Sequence, residues 1–118
     1  MNKLIIALTL GAASLALSGQ ALASGDAANG AALTKKYNCA SCHGADFKSP
    51  IDPTYPKLAG QHADYLVHAL TAYKRGTKVA NGRSNPIMAG MAQPLSDRDM
   101  ADIAAYLESL PGPLVTKR

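Results

Sequence analysis

The only two cysteines of the chain stand two residues apart and are followed at once by a histidine, as Cys39-Ala40-Ser41-Cys42-His43. Two thiols at this spacing can form a disulfide, act as a redox dithiol, contribute to a zinc site or anchor a cofactor. A disulfide across two intervening residues closes a very short loop, so it adds little stability. A thioredoxin-like dithiol follows a strand, and the sequence before Cys39 does not indicate one.

Structural zinc would require two more ligands. The chain has only two other histidines, His62 and His68, and neither belongs to a ligand pair at zinc-finger spacing. C-x-x-C-H is itself the attachment sequence of c-type haem. The two thiols add to the two vinyl groups on one porphyrin edge, and the residue after the second cysteine then lies beneath the iron. We therefore predict one covalent haem c on Cys39 and Cys42, with His43 as the proximal iron ligand.

The first residues are typical of a secretory signal peptide. Lys3 precedes a mostly apolar run over residues 4–17, and Ala21-Leu22-Ala23 has small residues where a signal peptidase reads them. The run is too short to span a bilayer, so we expect no stable membrane insertion. The prediction is a cleaved signal peptide over residues 1–23, a single domain over 24–118, and a periplasmic location.

The mature domain would be small and mildly basic. Its 95 residues bury little apolar surface, and a domain of this size usually needs a disulfide, a metal or a cofactor for support. Its net charge of about +3 is scattered and lacks an aromatic-rich basic stripe, which argues against a nucleic-acid partner. We expect redox protein partners with partly acidic surfaces, and a monomer or weak dimer.

Three helices are predicted, and no segment alternates as a strand would, so the fold class is all-α. The first runs from the N-cap Asp26 to Tyr37, the second from His62 to Arg75, and the third from the N-cap Ser96 to a stop at Pro111. Gly30 inside the first helix predicts a close crossing with the third, since glycine in a helix otherwise costs about 1 kcal/mol.

Two long loops, 44–60 and 77–95, contain several prolines and glycines, and we expect them to wrap the haem. The second loop holds Met88 and Met91, and a thioether from it would complete the iron coordination. Spacing alone does not choose between them. Met100 lies in the apolar stripe of the third helix and is expected in the core, and His62 or His68 is a weaker alternative for the distal ligand.

Several motifs together resemble the class I cytochromes c. They are Cys39-Ala40-Ser41-Cys42-His43, Tyr55-Pro56-Lys57-Leu58-Ala59-Gly60-Gln61, Asn85-Pro86-Ile87-Met88-Ala89-Gly90-Met91 and Leu95-Ser96-Asp97. The sequence is most similar to the small bacterial single-haem kind, whose domain also occurs doubled in di-haem cytochromes c. The resemblance implies three main helices and long loops around one covalent haem.

The resemblance also implies roles for individual residues. The axial methionine of the family precedes one residue and then a glycine, which matches Met88 and leaves Met91 as the alternative. A proline carbonyl in the first loop accepts the Nδ1 hydrogen of the proximal histidine, and Pro53 is taken as the matching position. Three apolar residues are implied to line the haem: Leu58, Ile87 and Leu95.

The function implied is that of an electron carrier, not an enzyme. Electrons would pass through the haem edge beside Cys39 and Cys42, where redox partners dock, and lysines such as Lys36, Lys48 and Lys57 are candidates for its rim. Two alternatives remain: a ligand-binding or peroxidatic haem protein with an open distal site, and a haem subunit of a larger oxidoreductase.

Overall fold

The computed structural model describes residues 24–113, which form five helices and no strand. The helices are α1 (Ala27–Lys36), α2 (Ala40–His43), α3 (Ala63–Arg75), α4 (Pro86–Ala92) and α5 (Asp97–Ser109); a 3₁₀ turn, Gly76–Lys78, follows α3. The all-α prediction is confirmed for these residues. The predicted signal peptide, residues 1–23, lies outside the described residues.

The N-caps of α1 and α5 are those that the sequence predicts. The Asp26 carboxylate accepts from the backbone N–H groups of Ala28 and Asn29 at the start of α1. Ser96 and Asp99 form a reciprocal capping box at the start of α5, with both hydrogen bonds at 3.0 Å. α3 ends at Gly76, whose φ of 65° suits glycine. Helix bounds therefore follow from local capping chemistry.

The crossing of α1 and α5 organises the fold, as Gly30 predicts. A Cβ on Gly30 would lie 1.9 Å from the Asp102 carbonyl oxygen, so only glycine permits this approach. Beside the contact, α5 buries its apolar stripe, formed by Met100, Ile103, Ala104 and Leu107. α3 packs against both α5 and α4.

The two long connections behave differently. Residues 44–60 contain only turns, as predicted. The prediction that residues 77–95 lack regular structure is wrong, because α4 lies within them. Asn85 caps α4 by accepting from the Met88 N–H over 3.0 Å, and Pro86 occupies its first turn. Asn followed by Pro is a helix start signal. α4 has only seven residues, which is too short to show a helical spacing of apolar residues. The prolines and glycine in and around it therefore favoured the interpretation as a loop.

Candidate functional site

The chain encloses a large, mostly apolar cavity of about 550 Å³. Its volume lies in the range of small-molecule and cofactor sites. Every helix except α1 contributes to the wall, together with the loop 44–60. The wall includes Cys39, Cys42, His43, Tyr55, Pro56, Lys57, Leu58, Tyr65, Tyr73, Arg83, Asn85, Ile87, Met88, Met91 and Leu95.

The single turn of α2 brings the C-x-x-C-H residues to this cavity. Cys39 caps the turn, and Cys42 and His43 follow three and four residues later, so all three stand on neighbouring positions of one helical turn. Both thiols are free and half-buried. Burial raises the pKa of the Cys39 thiol, and the nearby Cys42 adds to the shift. Both cysteines are thus available on the cavity wall as covalent attachment points.

His43 is buried, with only 6% of its surface exposed. Its Nδ1 lies 2.9 Å from the Pro56 carbonyl oxygen. Since a carbonyl oxygen can only accept, Nδ1 carries the hydrogen, and in the neutral ring Nε2 is then the nitrogen with the lone pair. The ring is therefore held in the tautomer that a metal ligand needs, with its other nitrogen bonded to a backbone carbonyl in the usual outer-shell arrangement.

This hydrogen bond corrects the prediction for Pro53. Pro53 is exposed and does not line the cavity, because it lies in a turn in which the Asp52 backbone carbonyl oxygen accepts the Tyr55 N–H over 3.0 Å. Pro56 takes the role instead.

The path of the loop explains the difference. Phe47 is buried in the left-handed region, at φ 54°, and its carbonyl oxygen accepts from the N–H groups of Leu58 and Ala59 over 2.7 and 3.0 Å. The Phe47 ring meets the Tyr106 ring of α5 edge-on, with centroids 6.1 Å apart. This anchor fixes the residues beside Pro56 and directs its carbonyl group toward His43.

On the distal side, α4 contributes both candidate methionines. Met88 and Met91 are three residues apart, hence on one face of the helix, and both line the cavity. Leu58, Ile87 and Leu95 also lie on the wall of the cavity. Met100 is 1% exposed in the core, as expected.

The alternative distal ligands are not brought to this cavity. His62 is exposed at the start of α3, with Nδ1 3.6 Å from Glu108 Oε1. His68 lies in a second groove with Arg75, and this groove meets the cavity at Arg83. Neither histidine lines the wall described above.

Several residues of the wall were not predicted from the sequence to belong to the site. Tyr65 and Tyr73 lie on the cavity side of α3, and Arg83 stands before α4. The four-residue spacing of Tyr65, Ala69 and Tyr73 indicates one face of a helix, and this pattern could have predicted that both tyrosines line the cavity. Arg83 lies in a connection that has no hydrophobic periodicity, so no sequence pattern indicated that it belongs to the wall. Asp102, buried between α1 and α5, was missed because an acid on a helix is ordinarily exposed.

The residues on the wall fit a covalent haem. Two free thiols, an imidazole with one free nitrogen and two thioethers converge on one apolar cavity. Imidazole and thioether are ligands that haem iron takes in cytochromes. An all-α fold with this donor set defines a c-type haem protein.

The comparisons with known proteins agree. The family model described as cytochrome c matches residues 27–111, and the chain belongs to that family. It is 43% identical to a cytochrome c4 of Stutzerimonas stutzeri over 95% of this chain and 52% of that protein. It is 46% identical to a cytochrome c-554(548) of Halomonas halodenitrificans over 72% of this chain and 96% of that protein.

A solved structure gives the same result for the fold. The crystal structure of reduced recombinant cytochrome c4 from Pseudomonas stutzeri superposes with a TM-score of 0.64, at 41% identity, over 76% of this chain and 48% of that one. The class I fold and the haem c cofactor predicted from the sequence are confirmed. The chain spans about half the length of the cytochromes c4 that it matches. None of the helices within residues 24–113 is long and apolar enough to cross a membrane.

Proposed function

We propose that this chain is an exported one-electron carrier whose haem iron is bound by His43 and Met88. One observation carries the proposal: His43 of α2 and the methionines of α4 line the same cavity. Ligands on both axial positions leave no open site for a substrate or a gas. This supports an electron carrier over a peroxidatic or ligand-binding protein.

Met88 is chosen over Met91 because its backbone is fixed by a hydrogen bond and its side chain is less exposed. The Met88 N–H is fixed by the Asn85 side chain at the start of α4, and its side chain is half-buried. Met91, one turn later, is 36% exposed. A ligand held by a cap and sheltered from water keeps its position better, so Met91 remains the alternative.

The bound haem would supply a metal centre that changes by one electron. The chain would hold that centre rigid. The Pro56 carbonyl fixes the His43 ring and raises the basicity of Nε2, while apolar side chains such as Leu58 and Leu95 keep water out. A soft thioether would favour the ferrous state and increase the reduction potential.

Electrons would enter and leave at the edge formed by α2. Cys39 and Cys42 are only half-buried, so this end of the cavity reaches the surface. Ile51, 70% exposed, is tied to it by a hydrogen bond from its N–H to the Cys42 carbonyl oxygen of 3.1 Å. An exposed apolar side chain beside the thiols, on a mildly basic protein, suits transient contact with another redox protein.

The partners proposed are periplasmic redox proteins reached after removal of residues 1–23. A relative from Stutzerimonas stutzeri named thiosulfate dehydrogenase electron acceptor is 38% identical over 92% of this chain and 46% of that protein. That name supports a dehydrogenase as one kind of electron donor.

The ferric absorption spectrum of the mature holoprotein tests the proposal. The parent should show the sulfur-to-iron charge-transfer band, M91A should keep it and M88A should lose it. Loss in M91A alone would transfer the ligand role to Met91. A parent without the band would refute the His/Met carrier.

A further inference from the structure

Arg83 is a cation on the cavity wall that the iron ligands do not account for. Its backbone N–H donates to the Ala72 carbonyl oxygen of α3 over 2.9 Å, which ties the residue to that helix. Among the wall residues only Arg83 and Lys57 are fully cationic, and no aspartate or glutamate lines the cavity. The polar part of the wall therefore suits an anionic group of a ligand.

Two tyrosines of α3 hold the Arg83 side chain. The guanidinium carbon lies 5.7 Å from the centroid of the Tyr65 ring and 5.4 Å from that of Tyr73. Nη2 lies 3.5 Å from the Tyr65 hydroxyl oxygen. Each ring attracts a cation placed within about 6 Å of its centroid. The guanidinium is thus positioned by the protein before any ligand arrives.

Arg83 has no acidic partner among residues 24–113. No carboxylate oxygen of these residues lies within 4.0 Å of its nitrogens, whereas Arg98 Nε lies 3.0 Å from Asp102 Oδ1. A planar guanidinium has several donors arranged to match a carboxylate with two parallel hydrogen bonds. Two tyrosines cannot accept hydrogen bonds from all of these N–H donors. Arg83 therefore presents unused, preoriented donors at the cavity.

A haem carries two propionate carboxylates on the edge away from its vinyl groups. Cys39 and Cys42 would fix the vinyl edge at α2. α3 packs closely on α4 and α5, and α2 packs closely on neither α3 nor α4 within the described residues. The α3 region, where Arg83 is clamped, is thus separate from the thiol edge. Lys57 is exposed, on a flexible stem, and no aromatic ring of the described residues holds it.

From this placement we infer that Arg83, clamped by Tyr65 and Tyr73, is the charged partner of a haem propionate. The inference rests on the haem site proposed above. A propionate charge stabilises ferric iron, and a guanidinium paired with it offsets that effect. Arg83 then helps to keep the reduction potential high, acting as a positioning and electrostatic residue rather than a ligand.

The test compares the R83Q and R75Q holoproteins with the parent. Arg75 is the matched control, because it is exposed at the end of α3 and does not line the haem cavity. The same positive charge is removed in both variants. R83Q should lower the midpoint potential and shift the propionate bending band in the resonance Raman spectrum, and R75Q should leave the band unchanged and move the potential less.

Equal potentials and identical bands in R83Q and R75Q would overturn the inference, as would a band shift in K57Q without one in R83Q. If R83Q does not accumulate as holoprotein, R83K provides the test instead. In R83K a single ammonium replaces the guanidinium, so the propionate bending band must shift. An unchanged band would refute the pairing. The charge-transfer band of the parent separates the two hypotheses. If the parent shows this band and R83Q does not differ from R75Q, the electron-carrier proposal stands without the Arg83 pairing. If the parent lacks the band, the electron-carrier proposal is refuted whatever the Arg83 result.

Discussion

Asn29 of α1 donates its side-chain N–H to the Asp102 carboxylate of α5 over 2.7 Å, 73 residues later in the sequence. The same carboxylate accepts the Asp26 backbone N–H over 2.7 Å and pairs with Arg98. Asp102 is only 1% exposed, whereas its partners Asp26, Asn29 and Arg98 lie at the surface. One buried acid therefore joins the N-terminal end of α1 to the helix that carries the core.

We expect D102N to destabilise the protein by about 1–3 kcal/mol at neutral pH, because an amide would point a donor at the donor of Asn29. D97N, which changes an exposed acid in the first turn of the same helix, should cost well under 1 kcal/mol. Chemical denaturation followed by circular dichroism measures both values. Equal losses in the two variants would contradict the role given to Asp102.

The same carboxylate predicts a pH dependence. The Asn29 amide, with the Asp26 N–H and Arg98, holds the pKa of Asp102 below the ordinary value of 3.8. A group whose pKa is lower in the folded state stabilises it above the unfolded-state pKa, and this contribution is lost as pH falls through the folded-state value. The unfolding free energy should therefore fall more steeply with acid below about pH 4 in the parent than in D102N. Identical slopes would argue against it.

G30A should be destabilising although alanine is the better helix former. The new Cβ would meet the Asp102 carbonyl oxygen, so α1 and α5 would have to separate, at a cost of about 1–3 kcal/mol. Gly90 in α4 is the matched control, since a Cβ there meets nothing within 4 Å. G90A should stabilise by up to about 1 kcal/mol. Thermal unfolding should thus shift in opposite directions for the two variants.

N85A should loosen α4 by removing the bond to the Met88 N–H. Loss of such a cap costs about 1 kcal/mol. Amide hydrogen exchange over 87–92 should speed up in N85A and stay unchanged in S84A, in which an exposed neighbour is replaced. Unchanged exchange in N85A would show that packing against α3, rather than the cap, maintains this helix.

Lys74 should stabilise the segment after α4. Its ammonium donates to the Leu95 carbonyl oxygen, and Gln93 Nε2 donates back to the Lys74 carbonyl oxygen over 2.8 Å. K74A should lower the unfolding free energy by about 1–3 kcal/mol, as for a hydrogen bond to a charged group. K78A removes an exposed lysine and should be nearly neutral. Urea denaturation measures the unfolding free energy of both variants. Equal values for K74A and K78A would contradict a stabilising role of the hydrogen bond from Lys74 to Leu95.

Sequence reasoning worked where the deciding interactions are local. The caps Asp26 and Ser96 bond to amides two or three residues away, so helix starts could be located from neighbours alone. It failed for α4, where a short helix without an apolar period looked like a loop. It also assigned the His43 carbonyl partner to Pro53 instead of Pro56, because that choice depends on how Phe47 anchors the loop.

The sequence by itself determined the cofactor chemistry, since C-x-x-C-H places two thiols and an imidazole within one helical turn whatever surrounds them. It also determined the all-α class and the crossing at Gly30. Only the tertiary structure decided which carbonyl group fixes His43, that both Met88 and Met91 reach the cavity, and that Arg83 lies between two tyrosines. These relationships join residues far apart in the chain, so they depend on loop paths and helix packing that no local spacing encodes.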